Sequence, residues 1–171
     1  MHVLQWIAVK DVSAEDAFYT VRDNLESYLN EGGGAWYDWF VAGGGRWNSN
    51  ADNYNEDQSM TISANEVGHS VFIAKISECM ENRLQEFKNY RKQFEERDVD
   101  INAKLDSYTG DIDFSFDLYP LSKMIDLMQG NWDFNSYFFD MEHHSTQTKY
   151  VLESLDKGEN YWYLIPVDFH F

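Results

Sequence analysis

A single cysteine, Cys79, stands among 171 residues. No disulfide can close within the chain, and a reducing compartment suits it. Long apolar runs are also missing: no stretch approaches the ~18 apolar residues that a membrane span needs. The opening M-H-V-L-Q-W-I-A-V-K-D has no cationic segment, and Gln5 interrupts its apolar residues, so it does not read as a secretory leader. Cations are scarce, with 13 Lys and Arg against 30 Asp and Glu and a net charge of −17. A chain so charged is repelled by nucleic acid and by anionic membranes, both of which are bound through cations. The sequence shows no internal repeat and no low-complexity tract. These absences predict a soluble, cytoplasmic protein of one domain, residues 1–171, large enough to bury a core.

Aromatic residues are plentiful, at 17% of the chain, and they concentrate in Gly34 to Trp47, G-A-W-Y-D-W-F-V-A-G-G-G-R-W. Read as a strand, this stretch places Trp36, Asp38 and Phe40 on one face and Tyr37, Trp39 and Val41 on the other. Gly43, Gly44 and Gly45 then permit positive φ or a close approach to the backbone. Arg46 and Trp47 follow, a planar cation beside a large π-face, and Trp47 is the tryptophan expected to be exposed. Trp6, Tyr37, Trp39, Trp132, Phe138 and Trp162 fall at strand spacing and read as core.

Before that stretch, Val3 to Lys10 reads as a strand. A helix follows, capped at Ser13, carrying Phe18, Val21, Leu25 and Tyr28 at helical spacing and stopped by the glycines at 32–34. Residues 48–59 are polar and Asn-rich, a solvated loop lacking the ligand spacing of a calcium loop. The longest helical signal runs from about 66 to 98, with a stripe of Ile73, Ile76, Met80, Leu84, Phe87 and Phe94. Tyr108 to Asp111 reads as a turn. A short helix over Leu118–Met128 would hold Pro120 in its first turn. Ser136–Glu142 reads as a strand, Ser145–Leu155 as a helix, and Tyr161–Phe171 as a closing strand with Asp168 and His170 on one face. The predicted fold is α+β: an antiparallel sheet with a ferredoxin-like β-α-β start and the long helix packed alongside.

Several chemistries lack their residues. The G-G-G-R-W turn has no Lys-Ser/Thr and leads into an Asn-rich loop, so it is not a nucleotide phosphate loop. His143 and His144 are adjacent, and on a strand would face opposite ways, making a poor metal pair beside Glu142; a polar turn is expected there. No metal and no cofactor is predicted. Asp38, Asp168 and His170 would converge if strands 35–42 and 161–171 are neighbours, which is raw material for acid–base work. The competing expectation is a structural ion pair of Asp38 with Arg46, with His170 bonded to backbone. No serine or cysteine nucleophile stands in a recognisable setting.

The stretch W-Y-D-W-F-V-A-G-G-G-R-W at 36–47 resembles the W-D-W-Y-x-x-G-G-R-W signature of small, uncharacterised bacterial and phage proteins. The ending V-D-F-H-F at 167–171 is similar to the V-D-x-H ending of the same group. This chain has one extra residue before Arg46 and the order Tyr37-Asp38. The resemblance implies a phage-encoded accessory protein in which Trp36, Gly44, Arg46, Trp47, Asp168 and His170 act as a set. It supplies no activity.

Ten carboxylates and three cations lie in residues 1–59, and eleven and three in residues 110–171. The two ends of the chain therefore carry most of the excess charge. The leading expectation is a non-enzymatic acidic binding protein that occupies a basic surface on a host defence or nucleic-acid-handling protein, as a DNA mimic does. Asp111, Asp113 and Asp117 are its candidate contacts. Direct nucleic-acid and membrane binding are excluded, and a second copy of the chain is the other partner considered. The alternative is a small-molecule or nucleotide site on the glycine turn and the closing strand, built from Trp36, Asp38, Gly44, Arg46, Trp47, Asp168 and His170.

Overall fold

Among the described residues, every pairing between strands but one is made by the last strand. The computed structural model describes residues 1–31, 34–50, 55–96 and 114–171, with backbone alone for 114–118. In chain order the elements are β1 (His2–Lys10), α1 (Ala14–Asn30), β2 (Trp39–Ala42), a 3-10 turn (Gly45–Trp47), β3 (Ile62–Ser63), α2 (Ala64–Val67), α3 (His69–Glu96), α4 (Phe114–Gln129), β4 (Phe138–Asp140), α5 (Lys149–Asp156) and β5 (Trp162–His170). The sheet order is β2-β5-β1-β4, with β3 also paired to β5. β5 runs antiparallel to β1 along its whole length, with His2 opposite His170 and Lys10 opposite Trp162. It is also antiparallel to β2 and β3, while β4 lies parallel to β1. β1 and β2 are therefore parallel with β5 between them, a split β-α-β unit, and the fold is α+β as expected.

β2 and β3 share one edge of β5: β2 spans Val167 to His170, and β3 spans Tyr163 to Leu164. Pro166 sits in the gap, its carbonyl accepting from the Gly43 N–H at 2.8 Å. In an antiparallel strand a residue's N–H and C=O face the same edge. The missing Pro166 N–H thus falls where the chain leaves the ladder for the glycine turn, and no bond is lost.

One sheet face carries Ile7, Val9, Ile165, Val167 and Phe169 against Phe18, Val21 and Leu25 of α1. The other carries Trp6, Ala8, Phe138, Trp162 and Leu164 against Phe72, Ile76 and Cys79 of α3 and Val151 and Leu155 of α5. Ser13 caps α1, its Oγ accepting from the Asp16 N–H at 3.0 Å, as the sequence predicts.

The structure corrects several boundaries. β2 begins at Trp39, so alternation does not reach back to 36–38: Trp36 and Tyr37 both pack on Phe169, and Asp38 turns to the opposite face from Phe40. The buried row of α3 is Phe72, Ile76 and Cys79, while Leu84 is exposed, because the sheet meets only the first turns of that helix. α4 starts at Phe114, which places Pro120 inside the helix rather than in its first turn. The turn expected at Tyr108–Asp111 lies outside the described residues. Among the described residues no helix is long and apolar enough to cross a membrane.

Candidate functional site

Asp168 has no exposed surface, although it is a carboxylate on the second face of the central strand. Burying such a charge is costly unless partners replace its water. Its Oδ1 lies 2.9 Å from His2 Nδ1, and its Oδ2 accepts the Arg46 backbone N–H at 3.2 Å with the Arg46 Nε at 3.9 Å. The glycine turn makes this possible. A Cβ on Gly45 would stand 2.6 Å from Asp168 Oδ2, and one on Gly43 would stand 1.7 Å from the Asp57 carbonyl oxygen. Gly43, Gly44 and Gly45 all have positive φ. Only glycine lets the backbone turn there and lie against the carboxylate.

Asn48, buried just past the turn, holds it shut. Its Nδ2 donates to the Gly43 carbonyl at 3.1 Å and to Asp57 Oδ1 at 3.0 Å. Donors from Ser59 and Asn48 hold the Asp57 carboxyl below its usual range. Part of the loop read as solvated is thus a polar knot gathered on buried Asn48, with Asp57 half-buried and Ser59 exposed, a role its composition did not signal.

Beside this knot a second imidazole is oriented in the same way. His170 Nδ1 lies 2.6 Å from Asp38 Oδ1, and that bond, first among its causes, lowers the Asp38 pKa. A ring nitrogen that meets a carboxylate must carry the hydrogen, so in the neutral form either imidazole would hold it on Nδ1 and present Nε2 as an acceptor. The two rings are 4.9 Å apart, centroid to centroid. Trp39 stacks on His170 at 5.0 Å and meets His2 edge-on at 5.1 Å.

Asp38, Arg46, Trp47, Asp168 and His170 therefore come together, with different pairings from those expected. Asp38 pairs with His170 and Arg46 with Asp168, which corrects the Asp38–Arg46 ion pair; Asp38 sits on the rim, its side chain 62% exposed. Gly44 shapes the turn, close to Met60 and Pro166. Trp36 does not join, because it packs on the α1 face against Phe169 and Phe171. His2 was missed by the sequence reading. Its signal is the β1 alternation His2, Leu4, Trp6, which sets it on the face that Asp168 and His170 occupy. Asp111 and Asp113 lie outside the described residues, and so does the Asp117 side chain.

A cavity of about 360 Å³ opens next to the cluster, between the start of β1 and α3. His2 and Trp47 line it together with Trp6, Glu78, Cys79 and Tyr137. Glu78 pairs with Lys75 at 2.8 Å. Burial pushes the Cys79 thiol up to about 12, so it offers no thiolate nucleophile. Tyr137 has φ 57°, a left-handed backbone uncommon outside glycine. Among the described residues no three His, Cys, Asp or Glu side chains converge as a metal-binding group.

At the far end of the same face, buried Asp140 bonds His143 Nδ1 at 2.7 Å, and His143 stacks on Tyr150 at 4.5 Å. The segment expected to be a polar turn is a turn, but one tied to a buried carboxylate.

No protein-family model matches the chain, and neither a curated protein nor a solved structure matches it. The reading of function accordingly stands on this geometry.

Proposed function

We propose that the end of the sheet formed by His2, Trp39, Arg46, Trp47 and His170 binds a small anionic organic molecule, seated in the cavity between β1 and α3. One observation carries the reading: fully buried Asp168 fixes the His2 ring and the Arg46 backbone together, while the Arg46 side chain stays 45% exposed and Trp47 as a residue 41% exposed. Stability alone would be served as well by an apolar residue at 168. A guanidinium supplies charge-assisted contacts and an indole supplies a stacking face. A cavity of this size suits a nucleotide-sized ligand. His2, held at Nδ1 by a carboxylate and with no partner at Nε2 among the described residues, also has the form of a general base.

Thermal-shift and calorimetric titrations with adenosine monophosphate and with inorganic phosphate test this. The parent should respond, and Arg46→Ala and Trp47→Ala should lose the response while still unfolding cooperatively, Arg46→Ala at a lower temperature because Asp168 loses a partner. A parent indifferent to both probes would sink the reading.

The acidic-partner reading is favoured by a different observation. The outer side of α1 and its cap expose Glu15, Asp16, Asp23, Glu26 and Glu31, and Arg22 is already engaged by Asp23 and Glu56. This surface would meet a basic host protein, in the manner of a DNA mimic encoded by a phage. Such binding should be competed by double-stranded DNA and weaken as salt rises.

A further inference from the structure

The C-terminal end of α1 borders a second cavity, on the opposite sheet face from Asp168. It measures about 400 Å³, its wall formed by Leu25, Tyr28, Trp132, Phe139 and Met141. Trp132 stacks on Phe139 at 4.1 Å and faces Tyr28 at 5.6 Å with a 42° tilt. Its indole N–H is already used, donating to buried Gln5 at 2.9 Å. The Trp132 indole is thus held in place and offers a π-face rather than a free hydrogen-bond donor.

The electrostatics of the rim are unusual. Glu31 lines the cavity and is also the C-cap of α1, its N–H bonded to the Ser27 carbonyl. The end of a helix carries partial negative charge, which cations stabilise and carboxylates oppose. α1 has no basic residue in its last turn. Ser27 Oγ donates to Glu31 Oε1 at 3.0 Å, which holds the carboxylate in place. His144 is also at the rim, with its ring 6.4 Å from Phe139. Among the described residues no lysine or arginine lines this cavity.

A helix terminus and a carboxylate of the same sign, placed beside aromatic faces, lack one thing: a positive charge with apolar substituents. We propose that this cavity binds a small organic cation of the alkylammonium class. Its methyl or methylene groups would lie on Tyr28 and Trp132, and its charge would meet Glu31 and the last carbonyls of α1. An anion would be repelled, and a strongly hydrated inorganic cation would gain nothing from the aromatic wall.

The test is a nuclear magnetic resonance titration with choline and with 3,3-dimethyl-1-butanol, its uncharged isostere. Choline should shift the Trp132 indole N–H and the Tyr28 and Glu31 amides saturably, with the isostere roughly tenfold weaker or more. Tyr28→Ala should abolish the shifts. Glu31→Lys should abolish them too while raising the melting temperature, because it corrects the helix terminus; a structural lesion would lower it. Arg46→Ala should leave choline binding unchanged, which separates this site from the one at Asp168. Equal affinity for the isostere would reduce the cavity to an apolar hole and overturn the proposal. Absence of shifts at Trp132 and Tyr28 would overturn it as well.

Discussion

Asp168 and Asp140 are two buried carboxylates on one sheet face, opposite Leu4 and Ala8 of β1. Each meets the Nδ1 of a histidine. Burial pushes the Asp140 carboxyl up, outweighing the bonds from His143 that pull it down. A carboxyl whose folded pKa lies above its ordinary value of 3.8 binds protons more readily folded than unfolded, so it stabilises the fold as pH falls through the raised value. Asp38 works the other way: its lowered pKa gives stabilisation that is present above 3.8 and lost as pH falls through the folded value. Relative to Asp140→Asn, the parent should therefore gain stability between neutral pH and about 4. Urea denaturation of both proteins across that range reads the difference directly. A gap that stayed constant with pH would contradict the assignment.

The glycine turn is an element in its own right, since β2, β5, Asn48 and Asp57 all fix its path. Gly45→Ala would force a side chain into a left-handed backbone and against Asp168, at a cost of about 2–4 kcal/mol. The expected result is a lowered melting temperature together with loss of any ligand response at Arg46. A fully stable Gly45→Ala protein would mean that the turn has room it does not show. Much of this element was readable beforehand. Three glycines before Arg-Trp marked a turn, and period-two alternation placed Asp168 and His170 on one face. The partners were not readable, because pairing depends on which strand lies beside β5. Asp38 was assigned to Arg46 by nearness in sequence, whereas β2 pairing with β5 delivers it to His170. His2 drew no notice as a lone histidine at the start of a strand; the β1–β5 register is what gives it meaning. Among the helices, the apolar stripe of α3 was displaced to Phe72, Ile76 and Cys79 because helical spacing shows that a face exists but not which stretch the sheet will cover.

For the molecule as a whole, a net charge of −17 is a standing repulsion that the fold must overcome. Many of the ion pairs are exposed partners on a single helix, such as Arg91 with Glu95 and Lys149 with Glu153, and are worth little. Screening should therefore stabilise the protein: the melting temperature should rise between low salt and about 0.5 M sodium chloride, where the Debye length falls to a few ångströms. A melting temperature that fell with salt would show that attractive pairs dominate instead.

The position of β5 also has a consequence in time. The strand to which β1, β2 and β3 all bond follows every one of them in the chain. While the ribosome is still making the chain, α1 and α3 can coil locally, but β1 has no antiparallel neighbour and both sheet faces remain open to water. Assembly waits for β5 and then closes loops that span most of the sequence described, a topology that folds slowly and leaves an aggregation-prone intermediate waiting. Nascent chains stalled before Trp162 should accordingly be cut readily by protease, and those stalled well beyond Phe171 should resist it.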